Sequence, residues 1–181
     1  MPTNSREAIA WFTGLALGLS AALAFVPPLV TRLVIGQAFF LTGRGKLANF
    51  DNTVEFFAGL GIPLPELNAA FVSRLEFYGG ALLVVGLATR LVALGLASTM
   101  VVALATADKA NLIAALTMSG EQGLTDVTPL VYLLFLGWLA TQGAGPASLD
   151  SAIARLWRLR RQAAAALSPS MAAPAVSAVP E

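Results

Sequence analysis

The chain has 181 residues, 57% of them hydrophobic and only 12% charged, with a net charge of +1 and a mean hydropathy of +0.76. A soluble domain carries roughly 25% charged residues, so this chain has too few to cover a water-facing surface, and the lipid bilayer is its expected solvent. Cys and His are both absent, which excludes thiolate chemistry, Cys-held clusters, His-held haem and most zinc sites. The near-zero net charge gives no reason to expect a nucleic-acid partner.

Residues 1–7 carry one Arg and one Glu rather than a basic cluster, and the apolar run after them is longer than the core of a cleavable signal peptide. Residues 8–26 are uncharged and end at Pro27-Pro28, a pair that breaks or sharply turns a helix. Asn4 with Glu7 resembles a capping box. This segment is read either as an extra membrane span or as an interfacial helix leading into the next.

Four further segments have the apolar length of spanning helices, for which roughly 20 residues suffice. They cover residues 29–47, 69–87, 91–107 and 127–142. Thr128-Pro129 starts the last of them, and Gly143-Ala144-Gly145-Pro146 stops it. The expected fold is all-α: a membrane-spanning four-helix bundle over residues 29–147, with residues 1–28 as an N-terminal hydrophobic segment. Residues 148–167 follow as a basic amphipathic helix. Leu149, Ile153, Leu156 and Trp157 form its apolar stripe, and Arg155, Arg158 and Arg161 lie on another face. Such a helix suits an anionic membrane surface, although a solvated terminal helix has the same pattern. Residues 168–181 are rich in Ala, Pro and Ser and are expected to be disordered.

Lys and Arg in short flanks set orientation. Arg32, Arg90, Arg155, Arg158, Arg160 and Arg161 gather on one side; the other side mixes Arg44, Lys46, Arg74 and Lys109 with seven acidic residues. The first side is expected to be cytoplasmic, giving a multi-pass membrane protein with its C-terminus inside. The loops at 48–68 and 108–126 then face outward.

Ionisable groups inside apolar helices are costly and need partners. Glu76 lies roughly 10 Å into its helix at 1.5 Å per residue, with Gly79 and Gly80 one turn on. Small residues mark close helix approach, so Glu76 is expected to point inward. Arg44 and Lys46, near the end of the preceding helix, are the available cations. Arg74 is two residues from Glu76 and points elsewhere. The expected cluster is Arg44, Lys46 and Glu76. It reads either as a structural ion pair or as a polar pocket for a quinone, a small polar substrate or a proton relay. Phe50, Phe56, Phe57 and Phe71 suit an aromatic belt at the interface, or the cover of a slot for a hydrophobic ring.

The ordered set Gly43-Arg44-Gly45-Lys46-Leu47, Phe50, Phe56-Phe57, Gly61-Ile62-Pro63, Glu76 with Gly79-Gly80, and Gly86-Leu87-Ala88-Thr89-Arg90 resembles the DoxX family of small bacterial membrane proteins. The similarity covers residues 29–148. Thr125-Asp126-Val127-Thr128-Pro129 and Ser148-Leu149-Asp150 fit one branch of it, whereas residues 8–26 depart from the usual short N-terminus. The resemblance implies a four-helix core and a link to membrane redox chemistry. The name derives from a membrane subunit of a terminal oxidase complex, and the related DoxD is a subunit of thiosulfate:quinone oxidoreductase. The resemblance carries over Gly43, Lys46, Glu76, Gly79, Gly80, Thr89 and Arg90 as pattern positions of the family and assigns a catalytic role to none of them.

Two functions follow as expectations. One is a quinone-linked redox subunit, an oxidoreductase component with no metal or flavin site of its own, working with other membrane or redox subunits. The other is a non-catalytic accessory or assembly subunit of a larger membrane complex. No cofactor bound covalently or through Cys or His is expected, and quinone is the candidate. A transporter is disfavoured because internal repeats and matched broken helices are lacking.

Overall fold

The structure, a computed structural model, describes residues 5–167. The tail at 168–181 and Asn4 lie outside the described residues, and so do the expectations attached to them. Every regular element is helical among the described residues.

Prolines decide where the packed part begins. Helix α1 (Ser5–Leu23) ends two residues before α2 (Val26–Ala48), which carries Pro27 and Pro28 in its first turn. There the missing N–H is an orphan in any case. The break therefore falls at residues 24–25, inside the apolar run 8–26, and not at Pro27-Pro28 where it was expected. The exposed side chains of α1, among them Ile9, Trp11, Phe12 and Leu15, stand outside the core.

Glycine sets the next step. α2 packs along α4 (Pro65–Val85) at backbone-contact distance. A Cβ at Gly43 would overlap the backbone of Glu76 and Phe77, and one at Gly80 would overlap the backbone of Phe40. Gly36 lies against the carbonyl of Gly80 in the same way. Phe40 and Phe77 stack beside this seam with ring centroids 4.8 Å apart. α4 packs on α5 (Thr89–Ala105), α5 on α7 (Thr128–Gln142), and α7 returns to α2. Ile35, Phe39, Leu83, Leu96, Leu136 and Leu139 fill the space between them.

The connections are more helical than expected. Residues 50–59, within the stretch read as a loop at 48–68, form α3 (Phe50–Gly59). The connection 108–126 contains α6 (Lys109–Thr117), bent by 76° from α5, and a short 3-10 turn at Leu124–Asp126. Asp108-Lys109 read as the end of a span, but Leu112 and Ala115 just beyond them pack with Leu104 and Val127 in a second small core. α8 (Leu149–Leu167) follows the stop at Gly143, whose φ is 82°.

Four uninterrupted apolar spans are not what these lengths give. Among the described residues α2 is long and apolar enough to cross a bilayer alone, and α5 with α6 qualifies as one bent pair. α7, with 15 residues, reaches only about 22 Å, and α4 carries Glu66, Arg74 and Glu76.

The seam predicts a contrast between two glycines. Gly80→Ala should destabilise the protein by about 1–3 kcal/mol through overpacking against Phe40. Gly45→Ala, with nothing within 4 Å of its added Cβ, should be neutral or stabilise by up to about 1 kcal/mol. Thermal unfolding of both variants in detergent checks this, and equal effects would contradict the packing.

Candidate functional site

The close seam between α2 and α4 carries Lys46 over Glu76. Lys46 Nζ stands 2.6 Å from Glu76 Oε1, and the Glu76 side chain is 2% exposed whereas that of Lys46 is 32% exposed. Thr42 Oγ1, one turn before Lys46, lies 3.1 Å from Glu76 Oε2 and 3.0 Å from Phe39 O. Its single proton serves one of them at a time. Thr53 Oγ1 bonds the carbonyls of Asn49 at 3.0 Å and Lys46 at 3.3 Å, which ties α3 to the last turn of α2.

Beside this pair opens a cavity of about 220 Å³. Phe56 and Phe57 of α3, Leu60 and Ile62 of the following turn, Phe71 and Val72 of α4, and Met100, Val102 and Ala103 of α5 make its wall apolar. Three hydroxyls also line it, but each donates to its own helix. Ser98 bonds Gly95 O at 2.6 Å, Thr99 bonds Leu96 O at 2.8 Å, and Thr106 bonds Val102 O at 2.7 Å. Asn68 Nδ2 is held by Pro63 O at 2.6 Å. Lys46 and Glu76 are therefore the only charged groups of the lining and its strongest donor and acceptor.

Arg44 does not join them. It is exposed, as is Gln37 seven residues earlier. The two do share a face, but Gly36 and Gly43, about 100° away at 3.6 residues per turn, are the pair that meets α4. Thr42 takes the place expected of Arg44. Arg74 is exposed and bonds Ala70 O at 3.2 Å, away from Glu76 as its spacing implied. Of the four phenylalanines read as a belt or cover, Phe56, Phe57 and Phe71 line the cavity and Phe50 does not. Gly79 is buried and faces Val92 and Leu96.

Thr89 and Arg90 belong to the opposite end, where two residues that the sequence reading placed in no site do most. Arg32 is 4% exposed. Its Nη1 bonds Ala144 O at 3.0 Å and its Nη2 bonds Ala147 O. Asp150 accepts from the N–H groups of Ala88 at 2.8 Å and Thr89 at 3.0 Å, and its own N–H donates to Gly86 O at 3.0 Å. It thereby caps α5 from the first turn of α8. Gly86, at φ 71°, leaves no room for a Cβ beside the Arg32 guanidinium. Arg90 is exposed and reaches Thr141 O at 3.2 Å. The signal for Asp150 was a deficiency: the N-cap of α5 is Ala88, which has no capping oxygen. Trp157, Arg155, Arg158 and Arg161 all sit exposed on α8, far along the chain from the cavity.

Two predictions follow. Lys46→Met should cost about 1–3 kcal/mol because it strands a buried carboxylate, whereas Glu76→Gln should cost less because Lys46 can turn to solvent. Unfolding of the two variants in detergent measures the difference, and the reverse order would contradict the burial pattern. Asp150→Ala should cost about 0.5–2 kcal/mol as a lost helix cap, read as faster amide hydrogen exchange at the start of α5.

Residues 28–109 match the family model described as DoxX. Over 78 residues the chain is 36% identical to "Putative oxidoreductase CatD" of Bacillus subtilis (strain 168), covering 43% of this chain and 57% of that protein. Over 62 residues it is 36% identical to "Inner membrane protein YphA" of Escherichia coli (strain K12), covering 34% of this chain and 44% of that protein. The chain thus matches about half the length of each relative. No solved structure matches it significantly. All residues lining the Lys46–Glu76 cavity, from 46 to 107, fall inside the stretch that is similar to the DoxX family model.

Proposed function

We propose that the chain is a four-helix membrane subunit of a redox complex, in which α2, α4, α5 with α6, and α7 cross the bacterial inner membrane. Its cavity holds the ring of a quinone-type molecule. The observation that carries this reading is the charged pair on the wall of an otherwise apolar cavity. Lys46 offers a donor to a ring carbonyl and Glu76 an acceptor to a ring hydroxyl, while the hydroxyls nearby are already engaged within α5. The volume of about 220 Å³ lies below the roughly 300–1,000 Å³ of whole small-molecule sites. It suits one ring, with any apolar tail left in lipid. Phe57 and Phe71 line the cavity as apolar, aromatic neighbours for that ring.

The composition and the bilayer-length α2 support the membrane setting. The relatives' names, an oxidoreductase and an inner membrane protein, point the same way. The C-terminus is on the cytoplasmic side, following the arginines of α8 and Arg90. With neither Cys nor His in the chain, electrons reach the ring from a partner subunit.

The test is mass spectrometry of protein gently extracted from its native membrane, comparing the native chain, Glu76→Gln and Arg74→Gln. Quinone should accompany the native chain and Arg74→Gln at a one-to-one ratio and be lost from Glu76→Gln. Absence of quinone from all three would overturn the ligand. If Glu76→Gln instead alters only the yield of co-purifying subunits, the chain is an accessory subunit.

A further inference from the structure

Asp150 and Arg32 fix where α8 leaves the packed core. From residue 152 to residue 164 every described residue is exposed. That includes Ile153 at 43%, Leu156 at 60%, Trp157 at 62% and Leu159 at 56%. At about 100° per residue, Leu149, Ile153, Leu156, Trp157 and Leu159 make one continuous stripe. Arg155, Arg158 and Arg161 occupy the opposite face. Asp150 is the last acidic residue of the helix, and its carboxylate is already bound to the N–H groups of Ala88 and Thr89. The free charge of α8 is therefore entirely positive.

We propose that α8 is a lipid-binding helix that lies flat on an anionic membrane surface, anchored at one end by the clasp of Arg32, Gly86 and Asp150. The inference rests on the membrane reading given above. In that reading the start of α2, the end of α4 and the start of α5 all reach one interface, and the clasp joins those points to the first turn of α8. Charge complementarity selects anionic lipid as the occupant, because a helix with four arginines and an exposed apolar stripe gains both from headgroups and from the acyl boundary. Arg160 falls within the apolar stripe, where its aliphatic stem can lie along the acyl boundary with the guanidinium reaching back to the headgroups. Trp157, at the edge of the stripe beside Arg161, takes the interfacial level that indole rings prefer.

The experiment uses the full chain in lipid nanodiscs of phosphatidylcholine alone or mixed with phosphatidylglycerol. Emission from Trp157 is isolated as the difference between the native chain and Trp157→Phe, and brominated acyl chains serve as quenchers. Quenching and a blue shift are expected in the phosphatidylglycerol discs. Both should fall to the phosphatidylcholine level in high salt and in the Arg155→Gln, Arg158→Gln, Arg161→Gln triple variant. Emission that is the same in both lipids, or that the triple variant leaves unchanged, would overturn the proposal. Water-like emission in every disc would do so too, and would leave α8 as a solvated helix or a docking arm for a protein. Failure of the chain to enter nanodiscs at all would be a different result, since it strikes the membrane reading itself.

Discussion

Glu76 cannot be buried unless two helices touch. A carboxylate with 2% exposure must recover its lost hydration from close, well-aligned partners, and a buried ion pair is favourable only when the geometry supplies them. The partners come from α2: Lys46 to one oxygen and Thr42 to the other. They reach only because Gly36, Gly43 and Gly80 remove the side chains that would hold α2 and α4 apart. Close packing, the ion pair and the wall of the cavity are thus one requirement. Widening the seam by a methyl group would lengthen the pair, expose the carboxylate's desolvation cost and alter the space beside it.

The two ends of the core treat charge differently, and that difference separates a site from a fastening. Arg32 and Asp150 are bound to backbone carbonyls and N–H groups, so their charge is consumed in closing the fold. Lys46 and Glu76 are bound to each other at the edge of a cavity, with Lys46 still a third exposed. In the proposed reading, a ligand would exchange for part of that pairing. No comparable exchange is open to Arg32, whose departure would leave Ala144 O without its donor.

How much could be read in advance follows the same division. Glu76 and Lys46 were legible because a charge in an apolar helix must be paired and the small residues around it say which way it faces. The wrong partner, Arg44, entered because the Gly36–Gly43 face and the Gln37–Arg44 face are adjacent, and periodicity alone does not decide which of two neighbouring faces meets the next helix. α6 was hidden by Asp108-Lys109, which read as the end of a span; its helix depends on Leu112 and Ala115 finding Leu104 and Val127 across the turn. The role of Asp150 was hidden by distance in sequence, because its partners Ala88 and Thr89 lie 62 and 61 residues away. Pairings of that range come from the assembled core, and no local pattern encodes them.

The position of the cavity constrains what the chain can do alone. Its lining presents one charged hydrogen-bond donor–acceptor pair, Lys46 and Glu76, and neither of them can accept or pass on electrons. Its hydroxyls are turned back onto α5. A ring held there would be oriented and matched in charge, which is the part of catalysis that positioning and a prepared electrostatic environment supply. The cavity is bounded by α3 on one side and by the α5–α6 bend on the other, both short connections rather than long core helices. Short elements with few buried side chains open at lower cost than the core they flank. A lipid-soluble ring would therefore reach Lys46 through this end of the molecule, while the clasp and α8 hold the other end in place.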